Sequence, residues 1–354
     1  MIQHDLAARR LPPLFQAGDA PEDWPARRAH WVETLAREVY GMTPSAPAEV
    51  RARILEDDPG AWAGKAGQRR VELTFDTPGG PFSFPIDLTV PRAGRPVPLV
   101  VYISFTPQGM GRYLPVEEIV DNGYALACLY YNDVAFDGED GFAGGLALLY
   151  PREGGAAWGK IGMWAFAASR VLDYALTLPE IDPERILCAG HSRLGKTALW
   201  AAAQDTRFAG AFSNDSGCSG AAISRGKQGE SIQAIVDQFP YWFCENYRAY
   251  AGREDAQAFD QHWLLASIAP RPLYVTSASE DIWADPVSEF LSCVAASEAY
   301  RFLGRRGLVY REDAYPAVGE VLHRGEIGYH LREGGHFLSR YDWQRFLAFM
   351  AVRL

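Results

Sequence analysis

The chain has 354 residues, 48% of them hydrophobic and 22% charged, which is ordinary for a globular protein and excludes collagen-like, coiled-coil and disordered classes. No apolar run reaches the roughly 20 residues that a membrane-spanning helix needs, so a membrane partner is not expected. Acidic residues outnumber basic ones by 44 to 34, and the net charge of −10 argues against nucleic acid, because binding to phosphates depends on lysine and arginine.

Residues 1–70 form a polar, proline-rich lead that we expect to pack on the rest of the chain. Within this lead, residues 27–40 place Trp31, Leu35 and Val39 at helical spacing. This pattern predicts one packing helix that carries no chemistry.

A β-hairpin is predicted directly after the lead. Residues 71–75 and 84–90 alternate apolar and polar side chains, and they flank the turn-forming sequence Thr-Pro-Gly-Gly-Pro at 77–81. We expect this hairpin to form the antiparallel edge of a larger sheet.

After the hairpin, strands alternate with helices. Continuous apolar runs, as expected of strands buried on both faces, occupy residues 99–104, 124–130, 185–189, 208–213, 272–277 and 327–331. Stretches with helical spacing occupy residues 161–178, 194–204, 287–303 and 341–350. Because alternation of this kind means parallel strands joined by crossovers, the sequence predicts a doubly wound, mostly parallel α/β sheet in a three-layer sandwich.

The remainder of the chain, residues 71–354, is predicted to be one domain with an insertion at about 216–269. The insertion is longer than a crossover requires and is rich in aromatic and charged side chains. Insertions at the carboxyl ends of strands usually carry ligand contacts in open α/β folds. An additional pair of helices is the alternative for its second half.

The segment with the most chemical information is residues 186–200. A predicted strand ends at Gly190, Ser192 follows at once, and a helix then begins, which is the strand–turn–helix context of a nucleophile elbow. The helix N-terminus favours negative charge beside this serine. The common pattern is G-x-S-x-G, but here the second glycine, Gly195, comes one position late. A serine that only caps the helix is the alternative.

A serine nucleophile needs a base and an acid that orients the base, and in α/β hydrolases these follow in the order serine, acid, histidine. His336 lies in a glycine-rich loop after the last predicted strand, so it is the expected base. The rival histidines are His323, His330 and His262.

Two aspartates compete for the role of the acid. Asp281 lies in the loop after the strand at 272–277, which is the usual position in this fold. Asp215 ends the preceding strand and could also reach the imidazole. The neighbouring Glu280 is expected to point elsewhere, and we favour Asp281.

The five cysteines indicate neither a zinc site nor a disulfide framework, because they are odd in number and have no C-x-x-C spacing. We therefore expect no metal and no cofactor. The first residues do not have the basic-then-apolar profile of a secretory signal, which predicts a cytoplasmic protein, or a secreted or periplasmic one if a signal was removed. Nothing in the sequence indicates an oligomeric state.

Six short segments carry a family resemblance. They are GHSRLGK at 190–196, SNDSGCSGAA at 213–222, APRPLY at 269–274, ASEDIWADP at 278–286, GYHLR at 328–332 and GGH at 334–336. They resemble the bacterial glucuronoyl esterases, carbohydrate esterase family fifteen, over approximately residues 95–350. The Ser-Arg-x-Gly-Lys element is more specific than a bare G-x-S-x-G and accounts for the late glycine.

The resemblance implies an α/β-hydrolase fold and a serine carboxylic-ester hydrolase. Its substrate would be a small-molecule or oligosaccharide ester of 4-O-methyl-glucuronic acid, cleaved through an acyl-enzyme on the serine. In lignocellulose such an ester joins xylan to an alcohol such as lignin's. The alternatives are a general acetyl or aryl carboxylesterase on the same triad and a non-catalytic carbohydrate-binding relative.

The resemblance also implies roles for individual residues. Ser192 matches the nucleophile, His336 the base, Arg193 an arginine that helps to stabilise the oxyanion, Lys196 a lysine that binds sugar hydroxyls, Glu230 a sugar-binding glutamate and Trp283 an aromatic wall. The alternatives are a surface lysine on the helix, a solvated glutamate and a core tryptophan.

The family places its acid at one of two sites, which correspond to Asp215 and Asp281. Fungal members have glutamate at the first site, and the shorter aspartate found here favours Asp281. Fungal members also carry a disulfide-bonded cysteine just before the nucleophile. His191 stands there in this chain, so we expect no bridge at the site.

Overall fold

A single ten-stranded sheet organises the part of the chain that the computed structural model describes, residues 1–107 and 114–354. The strands are β1 Arg51–Asp58, β2 Ala66–Thr77, β3 Gly80–Pro91, β4 Val97–Ser104, β5 Ala125–Tyr130, β6 Ile181–His191, β7 Gly210–Asn214, β8 Leu273–Ala278, β9 Val321–Leu322 and β10 Ile327–Arg332. Their order is β1-β2-β3-β5-β4-β6-β7-β8-β10-β9. The strands from β5 to β10 in this order are parallel, which confirms the predicted sheet.

The helices lie mostly between the parallel strands. They are α1 Ile2–Ala8, α2 Trp24–Leu35, α3 Val116–Asp121, α4 Lys160–Ala175, α5 Arg193–Gln204, α6 Ile232–Gln238, α7 His262–Ala266, α8 Pro286–Phe302 and α9 Arg340–Met350. The predicted helices correspond to α2, α4, α5, α8 and α9. Within the described residues, no helix combines the length and the apolar character that crossing a bilayer requires.

The sheet separates two apolar cores, and β4 shows how. Leu99 and Val101 of β4 belong to the core on the side of α4, α5 and α8, whereas Val100 and Tyr102 belong to the core on the side of α3 and α9. All four side chains are at most 2% exposed. A strand covered on both faces needs apolar residues at every position, so its sequence is a continuous apolar run and the three-layer expectation is confirmed.

One part of the edge prediction is wrong. The hairpin of β2 and β3 is present and antiparallel, but β1 pairs with β2 and forms the sheet edge in its place. β1 was not predicted, because all of its residues are exposed and its charged sequence shows no apolar alternation. The domain boundary at residue 70 stays a prediction.

Candidate active site

Ser192 occupies a strained turn between β6 and α5. Its φ of 57° and ψ of −129° lie in a region that residues with a side chain rarely adopt. A Cβ on Gly190 would lie 2.0 Å from the carbonyl oxygen of Leu194, and one on Gly195 would lie 3.0 Å from Oγ of Ser213. The two glycines therefore allow the turn, and the late glycine is the point where α5 meets β7.

Ser192 and His336 line the same cavity, which has a volume of about 270 Å³ and lies beyond the carboxyl ends of the parallel strands. Other predicted site residues line it too: Arg193, Lys196, Asp215, Glu230 and Trp283. The His336 side chain is 41% exposed, so the cavity is open to solvent. The sequence-predicted residues therefore converge on one place, with Asp281 behind the imidazole.

His336 is held by Asp281. Its Nδ1 lies 2.6 Å from Oδ2 of Asp281, whose other oxygen accepts a 3.1 Å hydrogen bond from the backbone N–H of Ala284. Burial raises the pKa of Asp281, but the hydrogen bond and the charge of His336 outweigh burial, and the net pKa lies below its usual value. When the imidazole carries one proton, an ionised carboxylate assigns that proton to Nδ1, which leaves Nε2 as the acceptor.

Asp215 lies nearby but has different partners. One of its oxygens accepts hydrogen bonds from Arg332 at 3.2 Å and from the backbone N–H of Phe337 at 3.4 Å. The other oxygen has no hydrogen-bond partner among the described residues. Burial raises the pKa of Asp215 well above its usual value. The structure thus places Asp281, and not Asp215, on the imidazole of His336.

The same three side chains are the one group among the described residues that could share a cation. A ligand atom from each of Asp215, Asp281 and His336 lies within 4.8 Å of the others. However, His336 and Asp281 bind each other, and the Arg332 guanidinium lies against Asp215. We interpret the group as a hydrogen-bond network, and the absence of a metal stays a prediction.

Lys196, Glu230 and Trp283 form a connected set. The Lys196 ammonium donates to Oε2 of Glu230 at 2.8 Å and to the carbonyl of Cys218 at 2.6 Å. The Glu230 N–H donates to the carbonyl of Trp283 at 2.9 Å. Lys196 and Glu230 are buried and the Trp283 residue is 50% exposed, so the surface-lysine, solvated-glutamate and core-tryptophan alternatives are wrong.

Arg193 extends from the first position of α5 over aromatic side chains. Its guanidinium carbon lies 4.6 Å from the ring centre of Trp242, and its Nη1 forms an ion pair with Asp137. Sequence reasoning missed Asp137. Its position in the loop after β5, at the carboxyl edge of the sheet, is the signal that could have identified it.

His191 was named from the sequence only as the residue in place of a cysteine, and its contact with the base was missed. Its ring centre lies 4.5 Å from that of His336, and its Nδ1 lies 2.6 Å from Oδ1 of Asn214. Burial is the main reason why its pKa is lowered to about 3, so this ring stays neutral beside the expected base. The five cysteines are free and buried, in agreement with the expectation of no bridge at the site.

The rival histidines lie in other networks. His330 is fully buried, with Nε2 2.8 Å from Asp342, and His323 contacts the Tyr274 hydroxyl at 2.7 Å. His262 bonds to a backbone carbonyl of the N-terminal lead. None of the three is among the described residues that line the cavity.

Comparison with known proteins identifies similar sequences and structures. The family model described as "Glucuronyl esterase, fungi" matches residues 73–304. The chain is 42% identical over 240 residues to the carbohydrate esterase MZ0003 of an unknown prokaryotic organism, which covers 66% of this chain and 54% of that protein. The chain thus spans about half the length of that relative.

Solved structures agree along nearly the whole chain. The glucuronoyl esterase from Solibacter usitatus superposes with a TM-score of 0.89 at 32% identity and covers 97% of both chains. A promiscuous CE15 esterase from a marine bacterial metagenome gives a TM-score of 0.86 at 29% identity, again covering 97% of both. The fold is therefore that of the CE15 esterases, in agreement with the α/β-hydrolase prediction.

Proposed function

Because the chain belongs to the glucuronyl esterase family, we propose that it is a serine hydrolase that cleaves esters of glucuronic acid. One observation carries the proposal: the strained Ser192 and the imidazole of His336 line one cavity, with Asp281 bonded to the far side of the ring. Strain of this kind persists where function needs it. It argues against the alternative of a non-catalytic carbohydrate-binding relative.

The reaction follows from these positions. Nε2 of His336 takes the proton of the Ser192 hydroxyl as its oxygen attacks the ester carbonyl, and the alcohol then leaves with that proton. Water repeats the sequence on the acyl-enzyme and releases glucuronate. Asp281 stays ionised throughout and stabilises the imidazolium that forms twice in each cycle.

The attacked carbonyl oxygen becomes negatively charged, and we place it near the N-terminus of α5, which begins directly after Ser192. The Arg193 backbone N–H and its guanidinium are the donors that we assign to the oxyanion. A single preorganised donor of this kind stabilises the transition state by about 2.7–4 kcal/mol. Arg193 brings a cationic group to this position in a protein with a net charge of −10.

The uronate end of the ester is assigned to the Lys196–Glu230 pair and to Trp283. The buried ion pair offers charged hydrogen-bonding groups to sugar hydroxyls, and the half-exposed tryptophan offers an aromatic face to a pyranose ring. A 4-O-methyl-glucuronate ester, free or on an oligosaccharide, is the substrate that we propose. The cytoplasmic location stays a prediction.

A general acetyl or aryl carboxylesterase is the second candidate. The similarity to a promiscuous CE15 esterase favours it, and the cavity is open enough to admit small esters. The two candidates share the nucleophile and differ in whether the Lys196–Glu230 pair contributes to catalysis.

The proposal is tested with methyl glucuronate and p-nitrophenyl acetate, on the parent enzyme and on Ser192→Ala. We expect kcat/KM to favour the uronate ester, and we expect Ser192→Ala to abolish both activities without changing the melting temperature. Equal or better turnover of the acetate would support the second candidate. Undiminished turnover by Ser192→Ala would show that the nucleophile is wrongly assigned.

A further inference from the structure

The carboxylate of Asp137 joins three separate parts of the active-site wall. The side chain is 5% exposed and forms an ion pair with Arg193 at the start of α5. It also accepts hydrogen bonds from Nε1 of Trp242 at 2.7 Å and from the Tyr131 hydroxyl at 3.0 Å. One side chain thereby ties the nucleophile helix to the loop after β5 and to the insertion.

The backbone on both sides of Asp137 is held by one buried lysine. Lys160, the first residue of α4, donates to the carbonyls of Phe136 and Gly138, both at 2.6 Å, and to Oδ1 of Asp140 at 2.6 Å. The Lys160 side chain is 1% exposed, so the ammonium is satisfied by these acceptors alone rather than by solvent. These hydrogen bonds fix the backbone on both sides of Asp137 and thereby fix the position of its carboxylate relative to Arg193.

The guanidinium of Arg193 depends on this carboxylate for its orientation. Asp137 is the one hydrogen-bond acceptor that the structure assigns to the guanidinium among the described residues, and the Nε of Arg193 has none. The Trp242 ring lies below the guanidinium, but a ring face does not select which N–H points into the cavity. An arginine without an acceptor at one end would sample several rotamers.

We propose that Asp137 is a positioning residue that orients the Arg193 guanidinium toward the oxyanion. The inference rests on the proposed function, because it assumes that Arg193 meets the developing charge. Asp137 binds Nη1 and Nε is buried, which leaves the N–H groups of Nη2 for the ester oxygen, so the donor is preorganised before the substrate arrives. The same carboxylate also binds Trp242, so it connects the insertion to α5.

A double-mutant cycle tests this role. Asp137→Asn should lower kcat by about tenfold or more and leave KM within about twofold, since a misplaced oxyanion donor affects the transition state more than ground-state binding. In an Arg193→Met background, the same change should lower kcat by no more than about twofold, because the group that it positions is already absent.

Asp140→Asn is the matched control. Asp140 lies in the same loop and contacts Lys160, but it is not among the described residues that line the active-site cavity. This variant should lower the melting temperature but keep kcat within about twofold of the parent. A kcat loss equal to that of Asp137→Asn would mean that loop order alone matters, and the positioning role would be overturned.

Three further outcomes are decisive. Equal kcat losses from Asp137→Asn in both backgrounds would make its effect additive and would overturn the proposal. The cycle is run on methyl glucuronate and on p-nitrophenyl acetate, since both esters develop an oxyanion. Coupling on the acetate without turnover of the uronate would overturn the substrate assignment and support Asp137, whereas no turnover of either ester would overturn both.

Discussion

The loops after β7 and β8 each place an aspartate beside His336, and the pKa values of the two carboxyl groups shift in opposite directions. Asp281 and Asp215 are buried to a similar degree, 4% and 1% exposed. Asp281 accepts the imidazole N–H, and its pKa is low despite burial. The pKa of Asp215 is well above its usual value, because burial and the nearby carboxyl of Glu289 exceed the influence of Arg332.

The comparison shows that burial, neighbouring carboxyl groups and hydrogen-bond donors together set the pKa of each carboxyl group. Behind Asp215, Glu289 is fully buried and accepts hydrogen bonds from the Ser277 hydroxyl at 2.5 Å and from the Gly217 N–H at 2.8 Å. Burial raises the pKa of Glu289 to about 7. The surroundings of Asp215 and Glu289 therefore disfavour negative charge, whereas the hydrogen bonds to Asp281 favour its ionised form.

The largest effect is expected from Asp281→Asn. Without the carboxylate the imidazole loses the partner that selects its tautomer and stabilises its charged form, a loss that costs about 10⁴-fold in kcat in a Ser-His-Asp triad. Steady-state kinetics on methyl glucuronate checks this, with circular dichroism to confirm folding. A loss in kcat below about tenfold would show that Asp281 is not the acid of the triad.

Asp215→Asn should have a much smaller effect and serves as the matched control. Because the carboxyl is disfavoured in its charged form, a neutral amide that still accepts from Arg332 and Phe337 preserves most of its contacts. We expect kcat within about tenfold of the parent. Equal losses in the two variants would show that the aspartates act as one unit.

Lys196→Ala addresses the other side of the cavity. Removing a buried ammonium leaves Glu230 without its partner, and hydrogen bonds to charged groups contribute about 1.5–3 kcal/mol, so KM for methyl glucuronate should rise about 10- to 100-fold. KM for p-nitrophenyl acetate should change little. Equal increases in KM for both esters would show that Lys196 has a structural role and does not bind the uronate.

The smallest effect concerns stability and pH. The Glu289 pKa rises from 4.5 to about 7 on folding, so the unfolded chain releases this proton at a lower pH than the folded chain. The free energy of unfolding therefore falls as the pH rises from 4.5 to about 7. Above about pH 7 this contribution is constant. Glu289→Gln should flatten that decline in urea denaturation curves recorded from pH 4.5 to 8, and an unchanged slope would contradict the raised pKa.

Much of the fold could be predicted because its signals are local. The apolar runs of β4 to β8 follow from burial on both faces, and the elbow follows from a glycine on each side of Ser192. The exposed, charged β1 gave no such signal, and its place in the sheet depends on pairing with β2.

The candidate site was predictable in its members but not in its connections. The residues named from the sequence do line one cavity, apart from Asp281, which lies behind His336. The roles of Asp137 and His191 were not assigned from the sequence, because these roles depend on contacts with Arg193 and His336 across separate elements.

By itself, the amino-acid sequence determined the alternation of the buried strands with their helices and the sharp turn that presents the serine, since both depend on neighbouring residues. Only the tertiary structure decided which of the two aspartates binds His336 and which carboxylate binds Arg193. The physical reason is that the charge and direction of an ionisable side chain depend on the donors that surround it. Those donors come from loops far apart in the chain.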